Sequence, residues 1–354
     1  MIKAPVDHSI PLAIAPTLST TRSPRIARML SLAVVASVWP LFAYTQDVHV
    51  RVSLNSKGTT ASVNDFPTIQ MALDHAPEPG LGGRLYIEIA PGIYHERVMV
   101  TQNRPRTTFL GTGTKPDDVI ITASENAKSA GGTFFSSTTV ISSEAFEADN
   151  ITFENAAGNT GQAVALSVRS DKAIFKHCRF LGDQDTLFAD FGRQYYVDSY
   201  IQGGVDFIFG NAAAVFADSE IHIIRPGYLT AQSRTSLTQN TGYVFLHARI
   251  TAADMGEKTF YLGRPWRPFS RVVFLSSELP ASLSPQGWSP WSKGGNIDTA
   301  FYAEHDDVGL GARPTDRLAG SHQLTAEEAA QFLPAHFLSG TDQWNAVAEA
   351  AKLP

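Results

Sequence analysis

The stretches FKHCRF (175–180), YVDSYI (196–201) and FADSEI (216–221) share one apolar pattern. Each begins with an aromatic residue, has a small residue at its fourth position and ends with a large apolar residue. Three further stretches resemble them, namely FEADNI (146–151), FLHARI (245–250) and FLSSEL (274–279). Successive copies begin 29, 21, 20, 29 and 29 residues apart. A repeat near 20 residues, lengthened in places by insertions, is typical of a solenoid.

The length of the repeat restricts the fold. Each copy is too short to hold a strand and a crossover helix, which disfavours Rossmann and TIM-barrel arrangements. The many Gly and Pro residues, 27 and 20, break the chain into short apolar runs, as expected for strands and turns. We therefore predict an all-β fold, a right-handed parallel β-helix with neighbouring rungs ~4.8 Å apart.

Both ends of the solenoid carry helical signals. Residues 65–75 (DFPTIQMALDH) read as a short amphipathic helix with Pro67 in its first turn, and we expect it to cap the open end of the coil. Thr325 and Glu328 form a capping-box signature, which predicts a helical tail packed on the outside of the coil. Strands are expected at 84–90, 107–110, 119–122 and 138–142.

Composition and the N-terminus indicate a secreted protein. An apolar run at 30–43 follows three arginines and is too short to span a bilayer, so residues 1–45 are interpreted as a signal peptide and 46–354 as one mature domain. The chain has a formal net charge of −6, and without the basic leader it has −9. This acidic body argues against nucleic-acid binding. The single cysteine, Cys178, is interpreted as the inward-facing small residue of its repeat.

Polar residues between the copies fall at nearly the same phase of the repeat. They lie 10 to 13 residues before the following copy, and they are Gln162, Asp185, Asp206, Arg234 and Arg264. On a β-helix these side chains form one column across neighbouring rungs. This column is the candidate active site.

The residue types in the column suit acid–base and nucleophilic chemistry. Two close carboxylates in a partly apolar site differ in proton affinity, so one can act as nucleophile and the other as general acid. Arg264 can hold a carboxylate ionised, and the amides of Gln162 and Gln184 can stabilise an oxyanion. Trp266, Trp288 and Trp291 offer flat faces for sugar rings. Two carboxylates serve glycoside hydrolysis as well as ester hydrolysis, so the reaction stays open at this point.

Several motifs resemble the signature blocks of the pectin methylesterase (pectinesterase) family. In chain order they are GIYHE (92–96), QAVAL (162–166), QDTL (184–187), DFIFG (206–210), LTAQSR (229–234) and LGRPW (262–266). The resemblance extends from about Asp65 to the DQWN stretch at 342–345, and its compact blocks look bacterial in type. It implies the right-handed parallel β-helix that the repeats also predict.

The resemblance also implies a role for each site residue. Asp206 would attack the methyl ester at C6 of a galacturonate unit, and Asp185 would protonate the departing methanol and then activate water. Gln162 and Gln184 would stabilise the oxyanion, and Arg264 would orient Asp206. Trp266, Trp288 and Phe134 would contact the sugars. The implied partner is methyl-esterified pectin, acted on by a secreted monomer without a metal or other cofactor and without a membrane or nucleic-acid partner.

Other functions compete with this interpretation. A polygalacturonase-like glycoside hydrolase would cut the polymer, and a pectate lyase would need calcium. A non-catalytic carbohydrate-binding β-helix would not depend on Asp206, and a relative of the esterases could act on a different ester. Within the pectinesterase interpretation, Arg193, Arg225 and Arg267 are candidates for recognising free carboxylates.

Overall fold

The computed structural model describes residues 46–56, 64–256, 259–292 and 295–354, all of which lie in one compact unit. The first half of the strands, in chain order, is β1 (Val48–Val52), β2 (Asp65–Phe66), β3 (Leu85–Ile89), β4 (Gly92–His95), β5 (Val98–Val100), β6 (Thr107–Gly111), β7 (Val119–Ala123), β8 (Thr139–Ile141), β9 (Glu147–Asp149), β10 (Thr152–Asn155), β11 (Leu166–Arg169) and β12 (Ala173–Lys176). The second half is β13 (Arg179–Leu181), β14 (Leu187–Phe191), β15 (Arg193–Val197), β16 (Tyr200–Gly210), β17 (Ala213–Ala217), β18 (Glu220–Gln232), β19 (Gly242–Leu246), β20 (Arg249–Ala252), β21 (Tyr261–Gly263), β22 (Arg271–Leu275), β23 (Phe301–His305) and β24 (His322–Gln323). The α-helices are α1 (Ile69–His75), α2 (Ala127–Ala130), α3 (Ala326–Ala330), α4 (Pro334–Phe337) and α5 (Ala346–Ala350).

The strands form long parallel sheets that wind into a right-handed β-helix, as predicted. One sheet runs β2-β1-β3-β6-β9-β12-β15-β17-β19-β22-β23-β24. A second runs β4-β7-β10-β13-β16-β14-β11-β8-β5, and β18 extends it by pairing with β16, β20 and β21. Strands β16 and β18 are long enough to belong to two faces of the coil, so they join the two halves of this sheet. The four strands expected before the repeats are confirmed as β3, β6, β7 and β8.

The aromatic residue that begins each repeat builds a ladder inside the coil. Tyr196 pairs with Phe175 on one side and Phe216 on the other, and Phe245 and Phe274 continue the same line. Neighbouring rings stack with centroids 4.4 to 4.9 Å apart. These rings are fully buried, and their contacts add to the burial of apolar surface that stabilises each rung. The predicted repeat is therefore confirmed for these copies.

The register of the first repeat differs by two residues from the one that its apolar pattern predicts. Phe175 pairs with Ala148 rather than with Phe146, and Phe153 rather than Ile151 pairs with Phe180. Because side chains in a strand alternate with a period of two, a shift of two residues keeps the same face inward. The apolar pattern alone could not distinguish the two registers.

The N-terminal helix caps the coil but is shorter than predicted. Asp65 and Phe66 form β2, and α1 begins after Thr68, whose hydroxyl accepts a hydrogen bond from the Met71 amide at 3.1 Å. Pro67 thus precedes the N-cap instead of occupying the first turn. The Glu96 carboxylate accepts from the first two helical amides at 2.9 and 3.0 Å, which satisfies donors that have no partner within the helix.

The C-terminal tail packs on the outside of the coil, as predicted. Thr325 and Glu328 make the expected capping box at the start of α3. The helical segments cover the outer face of the first sheet, where Phe337, Leu338 and Leu353 join a buried cluster with Tyr195 and Val244.

The predicted signal peptide at 1–45 lies outside the described residues and stays a prediction. Across the four described ranges, no helix has the length and apolar character that a bilayer crossing needs.

Candidate active site

Neighbouring rungs bring four of the five residues of the predicted column together, namely Gln162, Asp185, Asp206 and Arg264. Gln162 forms a parallel bridge with Gln184, and Gln184 forms one with Val205. The Asp185 amide donates to the Val205 carbonyl at 3.2 Å, so Asp185 and Asp206 follow paired positions on adjacent rungs. Both have left-handed backbone, with φ of 66° and 51°, a conformation that aspartate adopts more readily than most residues.

The column opens into a cleft of about 290 Å³. The residues that line it come from successive rungs, so the cleft runs along the coil axis. They are Thr133, Phe134, Gln162, Gln184, Asp185, Asp206, Phe209, Ala231, Arg264, Trp266 and Trp291.

A fork of two hydrogen bonds joins Arg264 to Asp206. Nε donates to Oδ1 at 2.9 Å and Nη2 donates to Oδ2 at 2.6 Å. The guanidinium lies between two aromatic rings, with its Cζ 4.0 Å from the ring centre of Tyr228 and 4.3 Å from that of Trp291. Because the flat faces of both rings attract the cation, they fix the plane of the guanidinium and the position of its charge. Asp206 therefore meets a preorganised cation.

The two carboxyl groups differ in proton affinity. Burial raises the pKa of Asp185 to about 8, and the neighbouring Asp206 charge adds to the rise. Burial also raises the pKa of Asp206, but the hydrogen bonds and charge of Arg264 oppose that rise. Asp206 consequently loses its proton at a lower pH than Asp185. Near neutral pH the arrangement holds one carboxylate and one carboxylic acid side by side.

Two amides and a row of aromatic rings complete the cleft. Within the described parts of the chain, the side-chain amides of Gln162 and Gln184 make no hydrogen bond, so their N–H groups are free to meet a ligand. Phe134, whose residue is 52% exposed, begins a row of rings that continues through Phe188 and Phe209 to Trp266. Successive centroids in this row lie 4.7, 4.6 and 6.0 Å apart.

Trp288 does not face the cleft, contrary to the expectation from sequence. Its side chain is fully buried and stacks on Tyr302 with ring centres 4.2 Å apart. The backbone beside it pairs with the segment before Arg264, as Leu262 donates to the Gly287 carbonyl at 2.8 Å. Trp288 therefore anchors this segment from inside the coil, while Trp291, three residues later, lies against Arg264 in the cleft.

Arg234 also lies outside the column that the spacing predicted. Its guanidinium donates to the backbone carbonyls of Leu237 at 2.5 Å and Gln239 at 2.9 Å, so it holds its own loop.

Sequence reasoning missed Thr133, Phe209, Ala231 and Tyr228 as parts or neighbours of the site. Phe209 lies in the DFIFG motif three residues after Asp206, so its proximity to the nucleophile candidate was an available signal. No local sequence motif indicates that Thr133, Ala231 or Tyr228 lies at the site. In the described residues, no group of three His, Cys, Asp or Glu side chains has a geometry that could hold a metal ion.

Comparisons with known proteins point to one family. A family model described as Pectinesterase matches residues 56–341. Pectinesterase 31 from Arabidopsis thaliana is 38% identical over 303 residues, which cover 82% of this chain and 92% of that protein. The pectinesterase from Daucus carota is 40% identical over 290 residues, which cover 78% of this chain and 90% of that protein.

Solved structures show the same relationship. The pectin methylesterase from carrot has a TM-score of 0.78 at 35% identity and covers 88% of this chain and 98% of its own. The pectin methylesterase from Erwinia chrysanthemi has a TM-score of 0.70 at 27% identity, with coverage of 86% and 99%. Since the plant relatives are the more similar in sequence, the expected bacterial type is not supported. By the extent of the family match and the identity to its members, this chain belongs to the pectinesterase family.

Proposed function

We propose that this protein is a pectin methylesterase, which hydrolyses the C6 methyl esters of galacturonate units to methanol and free carboxylate. The observation that carries the proposal is the Asp206 carboxylate held by Arg264 beside Asp185, whose pKa burial raises to about 8. Membership of the pectinesterase family supports the same reaction.

In the first half of the reaction, an oxygen of Asp206 attacks the ester carbonyl carbon. The carbonyl oxygen becomes an oxyanion, to which the free amide groups of Gln162 and Gln184 donate. When the bond to the methoxy oxygen breaks, Asp185 gives its proton to that oxygen and methanol leaves. The galacturonyl group is then bound to Asp206 as an anhydride, and Asp185 is ionised.

In the second half, water attacks the carbonyl carbon of the anhydride. Asp185 now accepts a proton from the water, and the bond to Asp206 breaks to release the new carboxylic acid of the galacturonyl unit, which loses its remaining proton to solvent and becomes a carboxylate. Asp206 returns to its pairing with Arg264, and Asp185 returns to its protonated form. The cycle therefore consumes one water per ester and restores both carboxyl groups.

The aromatic row positions the polymer. Phe134 and Trp266 present partly exposed rings at the two ends of the row, where the apolar faces of sugar rings can lie. Trp291 lines the cleft, whereas Trp288, which was expected to contact the sugars, is buried.

The test measures methanol release from highly methylated pectin, with viscosity followed in the same sample. Wild-type protein should release methanol at nearly constant viscosity, and Asp206→Asn should reduce the rate by ~10³-fold or more, since a nucleophile is removed. Asp218→Asn is the matched control, because Asp218 has a similar φ of 49° but lies on an exposed turn. A fall in viscosity without methanol would indicate a chain-cleaving enzyme instead.

We also propose that residues 1–45 form a secretory leader and that residues 46–354 act outside the cell as a monomeric domain. The basic and then apolar leader supports secretion, and the sheet that runs from β2 to β24 ends in two short strands, which offer little surface for pairing with another chain. N-terminal sequencing of the secreted protein tests the leader. Sedimentation of the mature domain tests the monomer, and a dimer would refute it.

A further inference from the structure

The turn at 285–291 forms the rung that follows β21, the strand directly before Arg264. The Leu262 amide donates to the Gly287 carbonyl at 2.8 Å, and the turn donates back to β21 through the Ser289 amide at 3.1 Å. Across the described ranges, no strand pairs with the other side of this turn. A rung in the middle of a coil is stabilised by neighbours on both sides, so this rung needs a different support.

Arg317, which follows the last long strand, provides that support. Its Nη1 donates to the Pro285 carbonyl at 3.0 Å, and the amide of the next residue, Leu318, donates to the Gln286 carbonyl at 2.9 Å. Gly287 has a left-handed φ of 67°, and a Cβ at this position would lie 2.7 Å from Cδ of Arg317. The backbone of the turn therefore packs directly against the arginine side chain.

A buried carboxylate fixes Arg317 to the coil. Its Nε donates to Oε1 of Glu304 at 2.8 Å and its Nη2 donates to Oε2 at 2.9 Å, and the two side chains are 2% and 4% exposed. Nη2 also donates to the Gly311 carbonyl at 2.8 Å. Glu304 lies on β23, so the pair joins the turn to the first sheet. Because a fork between a guanidinium and a carboxylate fixes direction as well as distance, Arg317 is a rigid support.

The supported turn contacts Arg264 in two ways. Its pairing with β21 sets the backbone directly before Arg264. At its far end, the Trp291 ring covers the guanidinium, with Cζ 4.3 Å from the ring centre. A displacement of the turn would therefore move both the backbone and the ring that align the fork between Arg264 and Asp206.

We propose that Arg317 and Glu304 are positioning residues, which hold the turn at 285–291 and thereby keep Arg264 aligned on Asp206. The inference rests on the proposed function for the reaction that Asp206 performs. Neither Arg317 nor Glu304 lines the cleft, so their effect passes through the turn. Small errors in the placement of reacting groups slow a reaction more than they weaken substrate binding, so kcat is the sensitive quantity.

Arg317→Lys is the test variant, because it keeps the charge and loses the fork to Glu304. Arg84→Lys is the matched control. Arg84 forms a buried pair with Glu147 at 2.9 Å and donates to the Ala145 carbonyl at 2.9 Å, but it lies away from the cleft. Both variants should lower the Tm, so an effect of general destabilisation would appear in both. The measurements are made at a temperature at which both variants are folded.

The first measurement is native-state hydrogen exchange in the peptides that cover 260–266 and 283–291. Exchange in both peptides should rise about tenfold in Arg317→Lys and stay unchanged in Arg84→Lys, since local opening controls exchange at the edge of a fold. This measurement does not depend on catalytic activity. Unchanged exchange in Arg317→Lys would overturn the proposal, and so would an equal rise in Arg84→Lys.

The second measurement is the pH dependence of kcat and KM for methanol release. In Arg317→Lys, kcat should fall about tenfold and KM should rise less than about twofold. The acidic limb of the pH–rate profile should move to higher pH. Burial raises the pKa of Asp206, and a looser fork from Arg264 opposes that rise less. Kinetics equal to those of the wild type, or the same changes in Arg84→Lys, would overturn the proposal.

The double variant Arg317→Gln/Glu304→Gln keeps the proposal testable if Arg317→Lys does not fold. It leaves no unpaired charge buried, and it removes the guanidinium that holds the Pro285 carbonyl. It should show the same rise in exchange and the same fall in kcat, and wild-type values of both would overturn the proposal. If the wild type released no methanol from any pectin, the proposed function would fail, while hydrogen exchange would still decide whether Arg317 holds the turn.

Discussion

Replacing Asp185 by asparagine should abolish activity and yet make the folded protein more stable at neutral pH. Asp185 is 8% exposed, and its side chain makes no hydrogen bond in the described structure that asparagine would lose. Burial and the charge of Asp206 raise its pKa to about 8. Between pH 4 and pH 8, the folded protein therefore holds a proton on Asp185 that the unfolded chain has released.

The size of the effect follows from the two pKa values. As pH rises through this window, the unfolded state binds fewer protons than the folded state, so the free energy of unfolding falls. One pKa unit corresponds to ~1.4 kcal/mol, and pH 7 lies roughly three units above the unfolded pKa, which gives a cost of about 4 kcal/mol at most. Asparagine does not titrate and avoids this cost. We expect Asp185→Asn to gain about 2 to 4 kcal/mol at pH 7 and almost nothing at pH 4.

The assay is urea denaturation of the wild type and Asp185→Asn at pH 4 and pH 7, with activity measured on the same preparations. Asp183→Asn is the control, since Asp183 lies two residues away and is also buried, but accepts a hydrogen bond from Arg225 at 2.7 Å. Breaking that pair should cost ~3 kcal/mol at pH 7, opposite in sign to the effect at Asp185.

A stability difference of the same sign for both variants at pH 7 would refute this reasoning. So would an Asp185→Asn gain that is equal at pH 4 and pH 7, because the effect would then be independent of the proton on Asp185.

Three further outcomes are expected. Arg264→Lys keeps the charge but loses the fork of two hydrogen bonds to Asp206, so kcat should fall ~10- to 100-fold. The acidic limb of the pH–rate profile should also move to higher pH, and pH-dependent kinetics would show both changes. Trp288→Ala should destabilise the fold by ~3 to 5 kcal/mol because Trp288 is fully buried, whereas Trp291→Ala should lower kcat with a smaller change in Tm. Cys178 is buried and burial raises the pKa of its thiol, so a thiol reagent should modify it only after denaturation; rapid labelling of the native protein would contradict this placement.

Much of the site was predictable because it follows from the repeat. Asp185, Asp206 and Gln184 lie in short motifs at a fixed phase of the coil, so the predicted rung spacing already placed them on neighbouring rungs. The residues alone indicated that Arg264 could hold one of the two carboxylates, and the family resemblance implied that this carboxylate is Asp206, with which it pairs. The repeat did not predict the path of the chain between the strands.

The tryptophans illustrate that limit. Trp288 and Trp291 lie in one turn-rich segment, GWSPW (287–291), and both are large enough to serve as core or as a sugar platform. Which ring enters the core depends on the backbone pairing of Gly263 with Trp288, a contact between residues distant in sequence. Tyr228 was missed for the same reason, since only the pairing of β18 with β21 brings it over Arg264.

The sequence by itself determined the β-helix, the capping box at Thr325 and the chemical types in the active-site column. These depend on periodicity and local motifs, which are complete within a few tens of residues. The tertiary structure decided the register of the first repeat, the burial of Trp288 inside the coil and the hydrogen bonding of Arg234 to its own loop. A period of two specifies a face but not a register, and the direction of a loop side chain depends on partners that only the folded coil brings into contact.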